Sequence, residues 1–205
     1  MIRVRRPTRD EIGALIGRRD APFGHPEVGA TADRAAFEAR GADYYLDRHQ
    51  RVLGSGRALF DRACAALVAW RHFEIPWLEL HGAERAVHAG QVVATLTRVA
   101  GLWFCNPCRV VYAETDASDE VAFAYGALRG HVERGEERFS VRFDSRSGEV
   151  RYEIAAFSRP AVALTNIALP WVRRIQHRFA RDSAKALARS AAGGYNPEVR
   201  RPPAG

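Results

Sequence analysis

The sequence predicts an α+β fold in which a strongly curved antiparallel sheet of about seven strands wraps around one long C-terminal helix. Three observations carry this. Six runs between residues 77 and 157 alternate apolar and polar side chains, and the turns between them are too short for anything but antiparallel hairpins. An earlier extended run feeds directly into a stretch with helical spacing. After residue 160 a bulky apolar stripe recurs at helical spacing, and the only large apolar face left to cover it is that of the sheet. A curved sheet rarely closes tightly on a single helix, so a cavity between the two is expected.

The elements follow in order. The first 40 residues, with "APFGHPEVGATADR", mix turn formers and short polar stretches, which predicts an irregular arm with one short helix. "DYYLDRHQRVLG", 43 to 54, reads as a strand. In "SGRALFDRACAALVAWRHF", Leu59, Ala63, Leu67 and Trp70 fall on one helical face, and Ser55 is placed to cap its start. The junction "GSGRAL" lacks the third glycine and the crossover of a dinucleotide-binding turn, so the capping reading is preferred. "WLELHG", "VVATLTRV", "PCRVVYAET", "VAFAYGAL", "ERFSVRFD" and "EVRYEIAAF" are the six strand runs. In the fifth, Phe139, Val141 and Phe143 alternate with Arg138, Ser140 and Arg142, so one face is buried and the other wet. After "SRP" a helix is expected to reach about Ser190 with Pro160 in its first turn, its stripe formed by Trp171, Ile175, Phe179, Ala186 and Leu187. "GGYNPEVRRPPAG" has no period and predicts a mobile tail. The chain thus divides into an arm (1–22), a single domain (23–190) and a tail (191–205).

A composition of 47% hydrophobic and 27% charged residues fits one globular domain rather than a disordered chain. The longest apolar run, "ACAALVAW", falls far short of the roughly 20 residues that cross a bilayer. The basic start has no apolar stretch after it, so a soluble, cytoplasmic protein is expected. Cys64, Cys105 and Cys108 are an odd set, expected as reduced thiols; "CNPC" has the C-x-x-C spacing but no second pair for zinc. No cofactor and no metal are expected. The net charge of +7 gathers at two ends, residues 1 to 19 and 166 to 189, which could attract nucleic acid or an anionic membrane surface. No nucleic-acid reader accompanies them, and lysine occurs once among 31 basic residues, a bias toward arginine, so sequence-specific nucleic-acid binding is not expected.

The segments "VGAT", "LGSGRALFDRA", "PCRVVYAE", "FAYGALRGH", "GEERF" and "AFSRP" resemble, in this order, the motif series of the domain of unknown function 1990 family, also called UPF0548, over about residues 23 to 187. That family is distantly similar to the START and Bet v 1 helix-grip superfamily (SRPBCC), whose members enclose hydrophobic ligands or, in some branches, catalyse cyclisations and eliminations. The resemblance implies a helix-grip domain with a ligand cavity; it does not supply a reaction. Against the family pattern, Ala127 and Val132 are variations and Cys105 is peculiar to this chain, whereas His131, Gly135, Glu136 and Glu137 are kept.

The candidate residues centre on "FAYGALRGHVERGEERFSVRF". Its middle carries His131, Glu133, Glu136 and Glu137, which either sit solvated in a wide hairpin loop or hang over the mouth of the cavity. A histidine beside a carboxylate could serve as a general base near neutral pH. Arg109 interrupts an apolar strand, so it must find an anion, either a ligand carboxylate or Glu137 or Glu153 across the sheet. Arg159, at a strand-to-helix corner, is packed or touches ligand. Trp103, Tyr125, Tyr152 and Trp171 offer broad surfaces suited to cavity walls and equally to an ordinary core. No Ser-His-Asp order, Walker loop or H-E-x-x-H helix occurs.

Three functions follow as expectations. The first is binding of a hydrophobic or amphipathic small molecule, lipid-like or polyketide-like, by Trp103, Arg109, Tyr125, His131, Glu137, Tyr152, Arg159 and Trp171, in a monomer or weak dimer. The second is an acid–base enzyme of the same fold, a cyclase, dehydratase or isomerase, using His131, Glu136 and Tyr125. The third is a peripheral membrane or anionic-surface binder using the basic C-terminal helix.

Overall fold

Hairpin after hairpin builds the sheet that the sequence implies. The computed structural model describes residues 1–161 and 169–193. Its strands are β1 (Ile2–Arg3), β2 (Tyr45–Ser55), β3 (Leu78–His81), β4 (Val92–Val99), β5 (Leu102–Glu114), β6 (Glu120–Ala127), β7 (Glu133–Phe143) and β8 (Glu149–Pro160). Seven of them run in the order β2-β8-β7-β6-β5-β4-β3, and two-residue β1 pairs with β5. Every pairing is antiparallel, and the first long strand closes against the last, His49 opposite Ile154. Register shifts at Val52/Gly54 and Val110/Tyr112 add the local bends that curl such a sheet.

The helices are α1 (Arg9–Ile16), α2 (Arg34–Ala39), α3 (Arg57–Val68) and α4 (Leu169–Ala192). On the concave side, α3 and α4 lie against the sheet, joined by Phe60, Leu67, Phe123, Phe139, Val141 and Leu187 in the main core. Small residues on α4, Ala180, Ala184 and Ala191, let it approach α3 closely, and buried Ser183 shares a 2.8 Å hydrogen bond with the Tyr152 hydroxyl. On the convex side, Ile12 and Leu15 of α1 cover Ala94, Leu96 and Cys105.

Several local expectations are corrected. Gly56, with φ 98°, precedes α3 and no side chain caps it, so Ser55 ends β2 instead. The buried face of α3 is led by Phe60 and leaves Leu59 only partly covered. Pro160 closes β8 rather than opening a helix: a terminal position of the strand tolerates its missing N–H. Residues 162–168 of the expected helix and 194–205 of the expected tail lie outside the described residues. The arm is more regular than expected, with α1 held by a capping box in which Thr8 accepts from the Glu11 N–H and Glu11 accepts from the Thr8 N–H.

The largest correction concerns the loop of the central hairpin. β7 starts at Glu133, so Glu133, Glu136 and Glu137 lie in the sheet and not in a solvated loop. Gly135 makes this possible. At φ 143°, a Cβ there would stand 1.9 Å from the Phe157 carbonyl oxygen, so the strand comes this close to β8 only because the side chain is missing.

Candidate functional site

The space between sheet and helices is filled at one end and open at the other. At the filled end Phe123, Phe139, Val141 and Tyr152 meet Leu67, Trp70 and Leu187, all almost wholly buried. Where β7 begins and the first turns of α4 cross it, a cavity of about 180 Å³ remains, walled by Phe73, Trp77, Ile154, Ile175 and Phe179. The rings form a continuous surface, with Phe73 centred 5.3 Å from Phe179 and 6.2 Å from Tyr125. Sites for drug-sized ligands span roughly 300–1,000 Å³, so this one suits a more compact occupant.

Strand alternation decides which polar groups enter. Glu133, Gly135 and Glu137 share the concave face of β7 with core residues Phe139 and Val141. The Tyr125 hydroxyl donates to Glu137 Oε2 at 2.6 Å. Gln176 Nε2 of α4 donates to Glu133 Oε1 at 2.9 Å. Asp47 of β2 receives both arms of the Arg173 guanidinium. Burial pushes Glu137 up to about 7 against the Tyr125 hydrogen bond, with the charges of Glu133 and Asp47 adding to the rise. Burial likewise lifts Glu133 to about 7, against the pull of Gln176. The Tyr125 hydroxyl is driven well above its ordinary value, by burial first and then by the Glu137 charge.

His131 lies at the rim, between this cavity and a second, outer one beside Met1. Its Nδ1 accepts the Glu133 N–H at 2.9 Å, and burial together with the nearby Met1 ammonium lowers the ring to about 3. It is therefore neutral at pH 7 with one nitrogen committed, a weak base rather than the poised one expected.

Of the remaining candidates, Tyr125 and Glu137 come together in the cavity and the others do not. Glu136 points to the convex face, where Thr31 N–H and Oγ1 and the Gly29 N–H all donate to it and His25 stands 3.9 Å away. Arg109 also points outward. Its guanidinium donates to the Arg19 and Ala21 carbonyl oxygens at 2.5 and 3.0 Å and stacks on Phe23 at 4.2 Å, so it ties down the arm and pairs with neither Glu137 nor Glu153. Arg159 stacks on Tyr44 at 4.6 Å. Trp103 packs with the α1 cluster, Tyr152 is core at the filled end, and Trp171 is 65% exposed under Arg174. The expected triad of His131, Glu136 and Tyr125 thus splits across two faces of one sheet. The same alternation sends Cys105 and Cys108 into separate cores, where burial raises both thiols, so "CNPC" presents no paired site.

Sequence reasoning places Glu133 only among the loop carboxylates and passes over Asn106, Phe73, Trp77 and Gln176, all lining the cavity. Asn106 carries a signal: an amide two residues before Cys108, on the inward phase of an apolar strand. Gln176 carries none until the helix is docked.

The geometry agrees with solved structures. The Zhui aromatase/cyclase from Streptomyces sp. R1128 superposes with a TM-score of 0.54 over 73% of this chain and 94% of that one, at 15% identity. A Thermus thermophilus protein, TTHA0849, gives the same TM-score over 74% of this chain and 100% of its own, at 9% identity. At such identities the likeness concerns the fold, which is the helix-grip fold. A UPF0548 protein of Arabidopsis thaliana is 36% identical over 71% of this chain and 73% of its own. One of Dictyostelium discoideum is 29% identical over 96% and 98%. The pattern described as "Domain of unknown function (DUF1990)" matches residues 25–186, and with it the chain belongs to the DUF1990 (UPF0548) family.

Proposed function

We propose that the protein binds a compact amphipathic molecule between its sheet and its C-terminal helix. The observation that carries this is the 180 Å³ cavity itself, apolar along Phe73, Trp77, Ile154, Ile175 and Phe179 and polar on the side where Tyr125, Glu133, Glu137, Asn106 and Gln176 converge. Such a site orients a ligand by its polar end and derives affinity from its apolar body. The volume favours a small ring system over a lipid-like or polyketide-like chain. Ala156, opposite Glu137 in register, offers a way to fill the space. Native mass spectrometry of gently purified protein should show a bound small molecule that Ala156→Leu displaces while the circular dichroism spectrum is kept. Occupancy unaffected by that substitution would place the ligand elsewhere and end the proposal.

Acid–base catalysis is a second reading, favoured by one observation: a carboxyl held near neutrality in direct contact with a tyrosine hydroxyl. It uses Glu137 and Tyr125 instead of Glu136. Under it Glu137→Gln abolishes turnover of the copurified molecule yet leaves it bound.

A further inference from the structure

The charges facing the cavity do not balance, and the imbalance has a sign. Acidic groups reach it from β2 (Asp47) and β7 (Glu133, Glu137). Arg173 answers one of them, holding Asp47 through both its arms. His131 is neutral, with Nδ1 turned to the Glu133 N–H, and His49 of β2, its Nε2 buried in the same wall without a hydrogen-bond partner among the described residues, is held below its usual range by burial. Glu137 has a hydroxyl donor in Tyr125 but no salt bridge to any cation among the described residues. Around it stand Tyr125 and Cys108 from β6 and β5 and Tyr152 from β8, none of them cationic. In the same wall Asn106 Oδ1 is buried without a hydrogen-bond partner, a second acceptor waiting for a donor. Phe73, Phe179 and Tyr125 complete an aromatic wall, and a ring presenting its face attracts positive charge.

We infer that the occupant is an organic base, a small molecule whose protonated amine rests on Glu137 while its apolar body lies against Phe73 and Phe179. The inference rests on the cavity-binding reading above and names the ligand class for it. An anionic ligand of the same shape meets Glu133 and Glu137 as like charges, and Arg134, the arginine bordering the cavity, leaves β7 on the opposite face, beside Gly24. A neutral alcohol can satisfy one acceptor but leaves the carboxylate without a counter-ion. Binding a cation stabilises the ionised form of Glu137, so at neutral pH it expels the proton that the empty site partly retains.

Three probes of similar size separate the possibilities: benzylamine, benzyl alcohol and benzoate, titrated calorimetrically into the full chain. A hydrogen bond to a charged group, desolvated and backed by aromatic faces, predicts that benzylamine binds about tenfold or more tightly than benzyl alcohol and that benzoate gives no measurable heat. Glu137→Gln should cut benzylamine affinity about tenfold and leave benzyl alcohol within about twofold. The unaltered protein supplies an independent arm: benzylamine affinity should rise as pH climbs through about 7, with proton release seen as a dependence of the heat on buffer ionisation enthalpy. Benzyl alcohol or benzoate binding as tightly as the amine, or an amine affinity indifferent to pH, overturns the ligand class and leaves the cavity reading standing. Failure of all three probes to bind overturns both.

Discussion

Glu136 and Glu137 are neighbours in sequence and opposites in chemistry. On the convex face, burial alone would raise Glu136, but the adjacent His25 ring and the hydrogen bonds from Thr31 and Gly29 outweigh it and hold the carboxyl below its usual range. On the concave face, burial dominates and Glu137 rises to about 7. One carboxylate accepts enough donors to behave as a structural anion, pinning residues 29–31 to the sheet; the other has a single hydroxyl and a cavity in front of it. Whether a buried acid serves the fold or the site is decided by the number of donors pointed at it, and here one step along a strand changes that number.

Removing Glu136 should have the largest effect. Glu136→Ala leaves the Gly29 and Thr31 N–H groups without their acceptor, and hydrogen bonds to a charged group contribute roughly 1.5–3 kcal/mol each, so a loss of about 4 kcal/mol is expected in denaturant unfolding. A loss below about 1 kcal/mol would show the contact to be incidental. Because the folded pKa of Glu136 is depressed, its contribution is present above the unfolded value of 4.5 and disappears as pH falls through the folded one.

Glu137 carries the opposite sign. Its folded pKa is raised, so its contribution is full below 4.5 and is lost as pH rises to about 7. Glu137→Gln mimics the protonated acid. It should be nearly neutral at pH 4 and stabilising at pH 8, by at most about 3 kcal/mol from a shift of 4.5 to about 7 and less as solvent enters the cavity. Stability profiles of the two variants that fail to diverge in opposite directions with pH would dissolve the contrast between the faces.

How far the sequence reveals this contrast depends on the length scale. Period-two alternation sets the six hairpin strands, and the apolar spacing of Ile175, Phe179 and Leu187 puts α4 on the concave side. Applied strictly, the same alternation already separates Glu136 from Glu137; reading "GHVERGEE" as a loop hides it, because two glycines and a histidine look like a turn. Gly135 is instead demanded by a close approach to β8 that no local pattern reports. Arg109 is correctly marked as needing acceptors, but its partners are carbonyl groups at Arg19 and Ala21, some 90 positions away in an arm without period. Trp171 shows the converse: its spacing fits the stripe, yet the residue is 65% exposed. Thr8 and Glu11, by contrast, form a capping box whose spacing is legible in the sequence and easily passed over in an arm without period.

Arg109 sharpens the comparison at intermediate scale, since it fastens the convex side without touching Glu136. Arg109→Ala should cost about 1–2 kcal/mol, because the freed carbonyl groups reach water and only the stacking and charge-assisted bonds are lost. Amide exchange at Gly24, whose N–H donates to the Ala127 carbonyl at 2.7 Å, should accelerate with it. Unchanged exchange there would mean that the arm is held elsewhere.

The smallest stability effect belongs to Trp171. An indole 65% exposed, with Arg174 over its ring among the described residues, has little to lose on truncation, and Trp171→Ala should change unfolding free energy by less than about 0.5 kcal/mol. That indifference makes it a clean probe of the anionic-surface reading of α4, whose basic residues include Arg174, Arg178, Arg181 and Lys185. Sedimentation with phosphatidylserine vesicles should then be weak, fade as salt shortens the Debye length, and drop in the variant although its fold is untouched. Sedimentation that ignores both salt and Trp171 removes this helix face from consideration.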